Sequence, residues 1–166
     1  MSVTPTGPER DGQAKSPNAV PEGPTAFERW RRKAMLATGL GVTDDERLDF
    51  LMEKTRAACE KKKLQLMERS PSVIFMMQHL KAAGCTLPPT NIICAPCNRY
   101  SAGGYNSDQG AIVLCQGVFY NDAHMENALV HEMIHMFDQC RFKVDWSNLR
   151  HHACSEVRRT PFPPPI

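Results

Sequence analysis

No apolar run in this chain approaches the length that spans a bilayer, which predicts a soluble or peripheral protein. Charge of one sign is also missing. Twenty Lys and Arg stand against eighteen Asp and Glu, and the net charge of +2 is too small to argue for a nucleic-acid partner. With no DNA-reading motif and no nuclear signal, direct nucleic-acid binding is not expected. The N-terminus lacks a secretory apolar region, and Glu9, Asp11 and Glu22 interrupt the acid-poor character of a matrix presequence. The glycines of Ser101-Ala102-Gly103-Gly104-Tyr105 lack the Lys-Ser/Thr ending of a phosphate loop, so nucleotide binding is unsupported. No βαβ pattern surrounds Cys94-Ala95-Pro96-Cys97, which disfavours a thioredoxin-like redox pair.

Cysteine is present in quantity. Cys59, Cys85, Cys94, Cys97, Cys115, Cys140 and Cys154 imply either an oxidising compartment or metal-binding thiols. Disulfides are preferred over a four-Cys zinc site because there is no second CxxC. Seven is odd, so pairing within the chain leaves at least one thiol over.

The richest segment is Ala128-Leu129-Val130-His131-Glu132-Met133-Ile134-His135-Met136-Phe137-Asp138. It holds an HExxH motif in an apolar, helix-compatible run. Residues four apart share a helix face, so His131 and His135 can bind one metal ion, Zn2+ by the chemistry of the set. A buried helix carrying two His and a Glu needs partners for them, which argues against two histidines on a wet face. Glu132 then lies where a general base can take a proton from water on the metal. Asp138 and Arg141 stand where a metzincin has Gly and His, which excludes that subclass. The third ligand inferred is Glu156, about twenty residues on, a length that fits a turn and a returning helix. Its rivals are Asp145, His151 and His152, and the plainer reading of Glu156 is a surface partner of Arg150 or Arg159. Asp138 is a candidate to orient an imidazole.

The chain reads as one domain with tails: a disordered arm over 1–26, a metallopeptidase domain over 27–158 and a Pro-rich tail over 159–166. Phe27 to Leu36 predicts a short basic helix. Thr43 and Glu46 form a capping box for a helix to about Glu68, with Leu48, Leu51, Met52, Thr55, Ala58 and Cys59 as its core stripe. The basic runs Arg29-Trp30-Arg31-Arg32-Lys33 and Lys61-Lys62-Lys63 read as solvated helix faces rather than membrane or acidic-partner patches. Ser70-Pro71 opens a helix that Gly84 ends, carrying a structural His79. Asn91 to Cys94 and Ala111 to Cys115 read as strands, with a turn-rich 101–105 between them. An edge strand there would pair with an extended substrate. His124 is expected to be solvent-exposed.

Val130 to Asp138, Val144-Asp145-Trp146 and His152 to Arg158, with Ser101 to Tyr105 and Ile112 to Gln116, together resemble one family. It is the mitochondrial inner-membrane metalloprotease that assists ATP-synthase assembly, also described in vertebrates as a Ku-binding protein. The likeness runs from Asp49 to Arg158. It implies an α+β, zincin-like fold, a small sheet packed on the HExxH helix with flanking helices. It also implies peripheral attachment on the intermembrane-space side of the inner membrane, with oxidised cysteines. The client implied is a membrane subunit of the ATP-synthase proton channel, which fungal members mature. Members also help assemble that channel without proteolysis. Carried over by position, His131 and His135 are zinc ligands and Glu132 is the catalytic base. Members continue well past Arg158, where Arg159 to Ile166 departs from their pattern. The alternative function is a non-catalytic assembly chaperone or interaction protein, including a Ku partner.

Overall fold

The computed structural model describes residues 23–98 and 100–157. Residues 1–22 of the expected arm and all of the 159–166 tail lie outside the described residues. The chain forms two compact units, Met1–Thr43 and Asp44–Ile166.

The first contributes one helix, α1 (Ala26–Thr38). Thr25 and Glu28 form a reciprocal capping box at its start, and Gly39 ends it at φ 80°, a left-handed conformation that suits glycine. None of its residues is buried. Phe27 and Trp30 stack on each other with about two-thirds of their surface exposed, among Arg29, Arg31, Arg32 and Lys33.

The second unit contains α2 (Asp44–Arg69), α3 (Pro71–Ala82), β1 (Ile92–Ala95), β2 (Gly103–Asn106), β3 (Ala111–Cys115), α4 (Asp122–Arg141) and α5 (Leu149–Val157). The sheet order is β1-β3-β2, with β1 parallel and β2 antiparallel to β3. β3 is central, and its alternation is swamped by burial on both faces: Ala111, Ile112, Leu114 and Cys115 are all buried. Ile112 and Leu114 pack with Leu129, Met133 and Met125 of α4 and with Val73 and Leu80 of α3 in one core. The HExxH helix therefore lies directly on the small sheet.

Four expectations need correction. Ser101 to Tyr105 is not only a turn, because Gly103–Asn106 is a strand paired to β3 in the register Gly103↔Leu114 to Asn106↔Ala111. Its diglycine has low strand propensity, and pairing with an apolar neighbour overrides it. The hairpin turn follows, where Asn106 Oδ1 accepts from the Asp108 and Gln109 amides. The core stripe of α2 begins later than its periodicity suggested. Leu48 and Leu51 are exposed, whereas Cys59, Lys63, Leu66 and Met67, all in the second half of the helix, are buried. Lys63 is consequently not part of a solvated basic run. Its Nζ donates to Ile92 O (2.7 Å) and Pro89 O (3.1 Å) and pairs with Glu60 (2.5 Å), while Glu60 accepts from the Cys94 amide (3.3 Å). These two side chains occupy polar groups on the outer edge of β1, as a neighbouring strand would. His124, finally, is half-buried rather than fully exposed, with its ring edge-on to Phe119 and stacked on Tyr120.

Sulfur pairs at bonding distance link Cys59 to Cys94, Cys85 to Cys140 and Cys97 to Cys115. They tie α2 to β1, the end of α3 to the end of α4, and the β1–β2 connection to β3. Among the described residues Cys154 is the free, exposed thiol, as the odd count required.

Candidate metal centre

α4 starts at Asn121, whose side chain accepts from the His124 amide at 2.7 Å. One face of the helix, Met125, Leu129, Met133 and Met136, is committed to the core. That fixes the rotation of the helix and turns His131 and His135 together toward a cleft of about 370 Å³. The cleft is lined by β2 on one side (Gly103, Gly104, Tyr105) and by Trp146, His152 and Glu156 on the other.

The chain reverses after Arg141. Asp145 Oδ1 accepts from both the Ser147 amide (3.0 Å) and its hydroxyl (2.6 Å), and Asn148 Oδ1 accepts from the Arg150 amide as α5 begins. The Ser147 hydrogen bonds hold the Asp145 carboxyl below its ordinary value. Trp146 is anchored by its indole N–H to Gln139 Oε1 at 2.7 Å, edge-on to His135 with ring centroids 5.6 Å apart. α5 thereby returns along α4 and carries Glu156 into the cleft.

His131 Nε2 and His135 Nε2 are 3.1 Å apart, and Glu156 Oε1 lies 3.5 Å from His135 Nε2. One ligand atom from each of the three residues falls within 4.8 Å of the others, so the set could hold a metal ion. A tetrahedral zinc with ligands at about 2.0–2.1 Å needs neighbouring donors roughly 3.3 Å apart, which the His131–His135 and His135–Glu156 separations match. The donor chemistry, two imidazoles and a carboxylate, is that of the His-His-Glu zinc sites.

Two of the rival third ligands are engaged outside the cleft. Asp145 is occupied with Ser147, and His151 Nδ1 accepts from the Asp145 amide at 3.1 Å. His152 does line the cleft, with Nε2 3.5 Å from Glu156 Oε1. Arg159, the other suggested partner of Glu156, lies outside the described residues.

Glu132 is buried, with Oε1 3.7 Å from His131 Nε2. It faces Gly103: a Cβ built on that glycine would lie 3.4 Å from Glu132 Cγ and Oε1. Asp138 does reach toward an imidazole, but not directly. Ser155 stands between, donating to Asp138 Oδ2 at 2.7 Å and lying 2.8 Å from His135 Nδ1. Gly103 and Tyr105 in the cleft wall, and the buried Ser155 beside His135, are residues whose placement the sequence did not signal. Burial pushes the Tyr105 phenol above its ordinary value.

A sequence profile of the Peptidase M76 family matches residues 57–162. The chain is 37% identical over 147 residues to the mitochondrial inner membrane protease ATP23 of Debaryomyces hansenii, covering 84% of this chain and 62% of that protein. It is 36% identical over 163 residues to the protein of that name from Yarrowia lipolytica, covering 95% of this chain and 64% of that protein. With the Schizosaccharomyces pombe protein it shares 49% identity over 105 residues, 63% of this chain and 56% of that protein. It thus spans about six-tenths of the length of these relatives. No solved structure gives a significant match. The profile match and these identities place the chain in the Peptidase M76 family.

Proposed function

We propose that this chain is a zinc-dependent endopeptidase acting peripherally at the mitochondrial inner membrane, on the intermembrane-space side. The convergence of His131, His135 and Glu156 beside the buried Glu132 carries this reading. His131, His135 and Glu156 would hold the ion, and Glu132 would be the base. A bound zinc ion supplies Lewis acidity, polarising a peptide carbonyl and making water in its coordination sphere far more acidic.

The chain's own residues supply the rest. Glu132 accepts the proton of the attacking water and delivers it to the leaving amine. β2 offers its outer edge, which pairs with no strand among the described residues, and an extended peptide adds to it as a fourth strand along the cleft. Trp146 and Tyr105 wall the cleft and restrict water around the reacting carbonyl.

The location and client are drawn from the kinship. The relatives are named as mitochondrial inner membrane proteases, and the family resemblance implies a membrane-sector subunit of ATP synthase as substrate or client. Three cysteine pairs at bonding distance suit an oxidising compartment. The exposed Phe27–Trp30 pair with its four flanking cations suits a bilayer surface.

The test is zinc content and peptide hydrolysis of purified wild type, His135→Ala and Glu132→Gln. One zinc per chain, lost in His135→Ala, with hydrolysis abolished but zinc retained in Glu132→Gln, is the expected result. Zinc retained in His135→Ala would move the metal away from this cleft. Persistence of client assembly in Glu132→Gln would add a chaperone role that does not depend on proteolysis.

A further inference from the structure

We infer that Ser155 is a positioning residue of the metal centre: its hydroxyl, set between Asp138 and His135, fixes the tautomer of His135 and so aims Nε2 at the ion. The identity of that ion rests on the metallopeptidase reading; the tautomer does not.

The protons available to the three groups fix the tautomer. A serine hydroxyl has one proton to give. Ser155 gives it to Asp138 Oδ2, 2.7 Å away, and a carboxylate only accepts. Toward His135 Nδ1, 2.8 Å away, the same oxygen can then only accept. Nδ1 must therefore carry the hydrogen. A neutral imidazole has one N–H, so the lone pair is left on Nε2. Nε2 is the atom in the cleft, 3.1 Å from His131 Nε2 and 3.5 Å from Glu156 Oε1.

The three groups are shielded from water, with Asp138 and Ser155 each 3% exposed and His135 6%. Competition from solvent for these bonds is small, and the low local dielectric strengthens them. Asp138 and His135 are on one helix, three residues apart, and the hydroxyl comes from another. The relay is therefore also a register pin between α4 and α5. Consecutive helical residues point about 100° apart. With Ser155 pinned inward to α4, its neighbour Glu156 turns to the cleft, where its carboxylate sits. One side chain thus orients the second ligand and sets the direction of the third.

The test uses the full chain with Ser155→Ala, Ser155→Thr and Asp138→Asn. In metal-free protein, the 15N shifts of the His135 ring report which nitrogen is protonated. Wild type and Ser155→Thr should show Nδ1–H, and Ser155→Ala should lose that preference. Zinc affinity is measured on the same samples by competition with a chromophoric chelator. Outer groups of this kind typically change metal affinity about 10–100-fold, so Ser155→Ala should weaken zinc by that factor, with Thr restoring it. The thermal midpoint of each apo variant separates this from a general loss of fold. A Ser155→Ala protein that keeps the Nδ1–H tautomer, or binds zinc within about twofold of wild type, overturns the inference while leaving the peptidase reading intact. Loss of apo stability with unchanged affinity overturns it too, reducing Ser155 to packing. Wild type showing Nδ1–H but binding no zinc overturns the metal centre itself, and with it the role given to Ser155.

Discussion

Gly103→Ala tests whether the close approach of β2 to α4 sets the position of Glu132, the proposed base. The new Cβ would lie 2.9 Å from Val113 O and 3.4 Å from Glu132 Cγ and Oε1. Carbon–oxygen contacts in sheets run at about 3.3–3.6 Å, so the first contact is short by roughly half an ångström. That oxygen belongs to the backbone of the central strand and cannot rotate away. β2 is an edge strand, so it yields by lifting off β3, and Glu132 moves with the wall it leans on. Overpacking of this kind costs about 1–3 kcal/mol, and an edge that can move places it near about 1. For a chain of this size that is a Tm fall of about 3 °C. A misplacement of about 1 Å costs roughly a hundredfold in rate, so half of that predicts about a tenfold fall in kcat. Zinc content should not change, because the atoms nearest that methyl belong to Val113 and Glu132, neither of them a proposed ligand. Gly104→Ala, whose Cβ would meet nothing within 4 Å, is the stability control and should melt with wild type. A Gly103→Ala protein with wild-type kcat and Tm would refute the reasoning.

Lys63→Met keeps the volume but leaves Ile92 O and Pro89 O without their donor. Two orphaned acceptors cost about 2–4 kcal/mol together, measured by urea unfolding with the disulfides intact, and a loss under about 1 kcal/mol would count against the edge role. Burial works to raise the Glu60 carboxyl, but hydrogen bonds from Lys63 and the Cys94 amide outweigh it and hold the group below its ordinary value. A carboxyl lowered in the folded state stabilises at pH above its unfolded value, and that contribution fades as pH falls through the folded one. Stability should therefore decline below about pH 4.5 in wild type, and less steeply in Glu60→Gln. If α1 contacts lipid, Phe27→Ala with Trp30→Ala should lower co-sedimentation with anionic vesicles while neutral vesicles bind neither protein; equal binding to anionic vesicles by both would exclude α1 as the contact.

The spacing of His131 and His135 and the apolar residues around them were sufficient to place a helix with a shared metal face. That inference is local, since four residues always bring two side chains onto one side of a helix. Ser70-Pro71 and Gly84 marked the bounds of α3 for the same reason: capping and turn chemistry act over a few residues. Glu156 could be proposed from the length of chain needed to return, but not distinguished from His152, which lies in the same cleft. Residues four apart share a helix face, so α5 brings both to the cleft, and what singles out Glu156 is the 3.5 Å approach of its carboxylate to His135 Nε2.

What remained illegible depends on partners distant in sequence. Leu48 and Leu51 carry the right period for a core face, yet both are exposed, whereas Lys63 in a basic run is buried because its amine reaches the backbone carbonyls at the edge of β1. Gly103-Gly104 has the composition of a turn and becomes a strand because β3 supplies the pairing. Periodicity and motif chemistry are properties of adjacent residues, so the linear chain already contained the helices, the HExxH pair and the surplus thiol. Which face meets which, and which hydroxyl completes a ligand's hydrogen bonds, arises only when segments tens of residues apart are brought within 3 Å, because burial and hydrogen bonding are decided by neighbours in space.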